Sequence, residues 1–197
     1  VKKYSLLIKI ILVITAGALI FQFWHFVEHF IQVIVWIFGE QLSPYMTPIG
    51  MWVMDWTGAT FFPNESMQRQ MYLGFEMMHL IGNAIFLVGI IGVSFFIRTK
   101  KVIWAFVIEA FHLYEHISLT ASAYLIGKSI GLSTFFGMVT DPWSSVFYRV
   151  WWHFIFNLVP SVLIVMVLME VYKVFKKKKG KNHILVKFVE SLKFKRV

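Results

Sequence analysis

Four long apolar tracts, a low charge content and basic residues gathered at alternate turns predict an all-α, polytopic membrane protein. The architecture expected is a bundle of four transmembrane helices, with a short interfacial segment after the first and a basic amphipathic tail at the end. Of the 197 residues, 58% are hydrophobic and only 15% are charged. A soluble domain carries about 25% charged residues. The net charge of +9 is localised: ten of the nineteen Lys and Arg lie from Lys173 onward, against the single acid Glu190. The remainder of the chain is balanced, which argues against nucleic acid as a partner, because a nucleic-acid surface spreads its basic residues over a folded face.

The tracts justify the spans in order. The first runs from about residue 5 to Phe38, broken early by Lys9. Ala16-Gly17-Ala18 has the small-residue character of a signal-cleavage site, but the apolar pattern continues well beyond it, so a retained helix is expected. A hydrocarbon core of ~30 Å needs about 20 residues, so the last turns of so long a helix emerge or tilt. Gly39 to Asn64 is rich in Pro, Gly and aromatics; within it, Pro48 to Trp56 is too short to cross and its tryptophans suit the headgroup level. The second span covers about 65–97 and ends at Arg98-Thr99-Lys100-Lys101. The third covers 102–126. A Gly/Ser-rich link follows, read as a connector, with a lid over the bundle end as the alternative. The fourth span covers about 145–175. The four spans form one domain, 1–175, followed by a cytoplasmic tail, 176–197.

Basic residues set the orientation. Lys2, Lys3, the 98–101 cluster and the tail share one side of a four-span bundle, which predicts both termini in the cytoplasm. The tail alternates Ile184, Leu185, Phe188, Val189 and Leu192 with Lys187, Lys193, Lys195 and Arg196, as expected of a segment lying on anionic lipid. There are no cysteines. Disulfides, thiolate metal sites and iron–sulfur clusters are thereby excluded.

The chemistry lies in the polar stripes. His25-Phe26-Val27-Glu28-His29 returns as His112-Leu113-Tyr114-Glu115-His116, a repeated His-x-x-Glu-His. On a helix these positions share one face. The first span adds Gln22 and Gln32, the second Tyr72, Glu76, His79 and Asn83, the third Glu109, and the fourth Arg149, His153 and Asn157. Ionisable groups inside membrane spans are rare and face the bundle interior with partners. At 1.5 Å per residue, His25, His79 and His153 lie about 28–30 Å from the basic ends of their helices, and His116 about 22 Å. That agreement in depth predicts one shared site near the outer membrane face.

Imidazole and carboxylate together suit a transition metal such as Fe, Cu or Zn. The expected ligands are His25, His29, Glu76, His79, His112, His116 and His153. Glu76-x-x-His79 also has the Glu-x-x-His spacing used by four-helix di-iron carboxylate proteins. Glu28 and Glu115 are candidate catalytic carboxylates, as ligands or proton acceptors, or else hydrogen-bonding groups that orient the imidazoles. Arg149 is a candidate partner for Glu76 or Asp141, Asn83 and Asn157 for interhelical hydrogen bonds, and Trp24, Trp36, Trp151 and Trp152 for an interfacial belt. The function expected is an integral membrane metalloprotein, with metal-dependent oxidoreductase activity as one form of it. The alternatives are a haem b carrier ligated by two histidines, a metal-ion or proton transporter, and an accessory subunit docked on membrane partners.

Overall fold

The computed structural model describes residues 2–39 and 45–178. Its elements are α1 (Lys2–Phe38), α2 (Pro48–Phe61), α3 (Met67–Phe96), α4 (Lys100–Ile126), a 3-10 turn (Leu132–Gly137) and α5 (Pro142–Lys178). Four of these, α1, α3, α4 and α5, are long and apolar enough to cross a membrane. The 14-residue α2, about 21 Å long, is not. It continues a turn and a half past Trp56, so the segment read as a short interfacial piece is a longer helix. The predicted tail lies outside the described residues beyond Lys178.

Local signals explain the helix ends. Thr47 caps α2 by accepting from the Gly50 amide at 3.1 Å, with Pro48 at the first helical position. Ser66 and Thr99 cap α3 and α4 in the same way. Gly127, in the left-handed region at φ 74°, closes α4. Pro160 sits inside α5. Its missing N–H leaves one helical carbonyl without its usual donor.

The four long helices form a closed ring in the order α1, α3, α4, α5, with α2 packed on α3 and the 3-10 turn on α5. Burial is inverted relative to a water-soluble bundle. Leu7, Val13, Ile20, Phe95, Trp104 and Met169 point outward, while His, Glu, Gln and Asn side chains fill much of the interior. The end of the bundle near the α3–α4 turn is different. There Phe86, Ile90, Val93, Val102, Ala105, Ile164 and Val167 form a dry core.

Candidate metal centre

Histidines from all four long helices meet in the bundle interior: His25 and His29 from α1, His79 from α3, His112 and His116 from α4, and His153 from α5. All six are buried. Ring centroids lie 4.6 Å apart for His25–His29, 5.5 Å for His25–His79 and 5.4 Å for His29–His79. On the other side they are 4.8 Å for His112–His116, 5.8 Å for His112–His153 and 4.8 Å for His116–His153. Bridging pairs are His29–His153 at 5.9 Å, His79–His116 at 5.5 Å and His79–His153 at 5.8 Å.

The orientation of the nitrogens carries the chemistry. His79 Nδ1 donates to the Phe75 carbonyl at 2.7 Å, and His153 Nδ1 to the Arg149 carbonyl at 2.5 Å. A carbonyl only accepts, so in both rings the proton of the neutral imidazole is on Nδ1 and Nε2 keeps its lone pair. Buried His153 Nε2 has no hydrogen-bond partner. Across each His-x-x-Glu-His repeat, Nε2 faces Nε2: His25 and His29 at 3.1 Å, His112 and His116 at 3.2 Å. His29 Nδ1 lies 2.9 Å from Gln32 Oε1, which turns its Nε2 inward as a lone pair too. The ligand nitrogens of His112, His116 and His153 all lie within 4.8 Å of one another, a spacing that could hold a metal ion.

The carboxylates are placed otherwise. Glu28 accepts from the Thr47 amide and the Thr47 hydroxyl, both at 2.7 Å. Glu115 accepts from the Leu132 amide at 2.9 Å and the Ser133 amide at 2.8 Å. Each therefore ties a connecting element to its helix: α2 in one case, the 3-10 turn in the other. A glycine packs closely beside each carboxylate. A Cβ on Gly50 would stand 2.7 Å from Glu28 Oε1, and one on Gly131 2.5 Å from Glu115 Oε1. Glu76 Oε1 accepts from Arg149 at 2.8 Å and from the Ser129 hydroxyl at 2.5 Å, while its buried Oε2 has no partner. Tyr72 extends this chain through Ser129 at 2.5 Å. Arg149 thus pairs with Glu76 rather than Asp141. Buried Glu109 lies 3.7 Å from His112 Nδ1.

Sequence reading did not single out Thr47, Ser129 or Ser133, because each acts from a connection and reaches its partner across 18 to 57 positions. It also missed a second repeat. His79-x-x-x-Asn83 and His153-x-x-x-Asn157 are equivalent, and in each the Asn Nδ2 donates to the histidine's own carbonyl at 2.8 Å. Asn157 also accepts from Gln22 Nε2 at 2.9 Å, which links α5 to α1.

Fold and site together define an all-helical bundle of membrane type around a buried polyhistidine cluster able to hold metal. The chain belongs to the family of unknown function DUF6008, whose model matches residues 2–190. No curated protein and no solved structure matches it.

Proposed function

We propose that this protein is an integral membrane metalloprotein whose centre is held by histidines inside a four-span bundle, with metal-dependent oxidoreductase activity as one form of its function. The observation that carries this reading is the convergence of six buried imidazoles from four helices, with Nε2 atoms turned toward one another. Two bare Nε2 atoms about 3 Å apart repel unless a cation or a proton lies between them, and a cation satisfies several such pairs at once. A bound transition metal would supply Lewis-acid or electron-transfer chemistry.

The chain's own residues do the rest. The Phe75 and Arg149 carbonyls and Gln32 fix the imidazole tautomers, as partners of metal-bound histidines do. Glu28 and Glu115 act in this reading as anchors that hold the extramembrane elements over the site, not as proton acceptors. A cavity of about 380 Å3 lined by Met46, Met54, Met71, Tyr72, Phe75 and Arg149 lies beside the cluster. Its wall residue Phe75 packs 4.4 Å from His79, so a small molecule in it stands one ring from the centre.

Two alternatives fit less well. Imidazole rings at 4.6–5.9 Å leave no slot for a porphyrin. The dry core from Phe86 to Val167 closes the bundle on one side of the cluster, against a continuous ion pathway. Positive-inside placement puts both termini in the cytoplasm and the cavity at the outer face. Elemental analysis of purified protein, with an optical spectrum, tests the proposal. Stoichiometric transition metal that is lost from a His116→Ala, His153→Ala variant is the result expected. A folded, monodisperse protein that neither contains nor takes up metal would overturn it.

A further inference from the structure

The six histidines obey an internal two-fold relation. Exchanging His25 with His112, His29 with His116 and His79 with His153 maps each centroid distance onto another: 4.6 on 4.8 Å, 5.5 on 5.8 Å, 5.4 on 4.8 Å and 5.9 on 5.5 Å. The His79–His153 pair, at 5.8 Å, maps on itself. The relation extends beyond the rings. Nε2 faces Nε2 in both repeats, Nδ1 of His79 and His153 bonds the carbonyl four residues earlier, and both asparagines bond the histidine carbonyl. Glu28 and Glu115 each hold the connection that follows their own helix. The ring order α1, α3, α4, α5 is preserved when α1 exchanges with α4 and α3 with α5, as for two parallel repeats about an axis along the bundle.

A site built from two corresponding halves offers two histidine triads, of which His112, His116 and His153 already hold their ligand nitrogens within 4.8 Å of one another. His25 makes its imidazole ring contacts with His29 and His79, and His112 makes its own with His116 and His153. The halves touch through His29, His79, His116 and His153. We infer that the centre is dinuclear: His25, His29 and His79 hold one ion, and His112, His116 and His153 hold a second. Six of the donors are imidazole nitrogens; Glu28 and Glu115 are engaged by backbone and hydroxyl donors and Glu76 Oε1 by Arg149 and Ser129, which leaves Glu76 Oε2 and Glu109 as the unpartnered carboxylate oxygens of the cluster. Three neutral imidazoles per ion suit copper or zinc better than the carboxylate-loving iron or manganese.

This inference rests on the proposed metal centre, and ion counting separates the two. Zn2+ is titrated to saturation into the full-length protein in detergent, and bound metal is measured after desalting. Two ions per chain are expected, falling to one in His25→Ala, to one in His112→Ala, and to none in the double variant. One ion per chain, retained in the double variant, would mean a single ion at the central four histidines; the metal proposal would stand and the dinuclear one fall. No bound ion would remove both. Spin counting on the unsubstituted protein loaded with Cu2+ guards against misfolded variants. Coupled neighbouring ions give an electron paramagnetic resonance intensity below the copper content, whereas full, isolated-ion intensity counts against two adjacent sites.

Discussion

Glu28 and Glu115 sit between paired histidines on the same helical stripe, and helix periodicity alone cannot say what a carboxylate there does. Periodicity gives the face; the hydrogen-bond partner gives the role. Both partners come from connections that follow the helix, Thr47 for Glu28 and residues 132–133 for Glu115. A hydrogen bond to a charged group contributes about 1.5–3 kcal/mol. Glu28→Gln and Glu115→Gln should each lower unfolding stability by about that much while leaving the bound metal count unchanged. Thermal unfolding in detergent alongside metal analysis checks this; loss of metal without loss of stability would make either carboxylate a ligand after all. Gly50→Ala and Gly131→Ala should destabilise similarly, because the new methyl displaces the carboxylate. On the proposed metal reading, occupancy depends on pH in a defined direction. Protons compete with metal for the same lone pairs, so occupancy should fall as pH falls and return on neutralisation. Equilibrium dialysis at a series of pH values measures it, and pH-independent retention would argue against imidazole ligation.

The long helices were legible because hydropathy and length suffice: the expected 65–97 is Met67–Phe96, and 102–126 is Lys100–Ile126. Cap residues account for the small shifts at Ser66 and Thr99. The convergence of the histidines was legible too, through matched depth. What was not legible is how α2 packs. Its glycine is as telling as any polar group, since a Cβ on Gly58 would collide with the Gln70 carbonyl and one on Gly74 with the Met54 carbonyl. The two helices approach backbone to backbone there, and Thr57 Oγ1 crosses to the Gly74 carbonyl at 3.0 Å. Nothing in the spacing of Gly58 and Gly74 announces such a contact before the helices are docked. Overpacking of a close interface costs about 1–3 kcal/mol. Gly74→Val should therefore lower the unfolding midpoint clearly, whereas Gly17→Ala on α1, where a Cβ meets nothing within 4 Å, should leave it unchanged or slightly raised. Equal effects at both positions would show that helix propensity, not the α2–α3 contact, dominates.

At the scale of the molecule, the inverted burial, the two-fold arrangement of the halves and the dry core at one end make a single picture of a centre that opens one way. Which way depends on topology. The α3–α4 turn carries Arg98, Lys100 and Lys101, and Lys101 pairs with Glu170 of α5. The opposite end carries α2, the 3-10 turn and the methionine-lined cavity. In the proposed topology the basic turn lies in the cytoplasm and that cavity outside. The chain has no cysteine, so single-cysteine variants report accessibility on a clean background. Met138, 70% exposed, lies just past the 3-10 turn, and exposed Lys100 begins α4 at the other end. In intact cells Met138→Cys should react with a membrane-impermeant maleimide, while Lys100→Cys should react only after permeabilisation. The reverse pattern would turn the cavity toward the cytoplasm, and the proposed metal centre would then draw its ions from the opposite compartment.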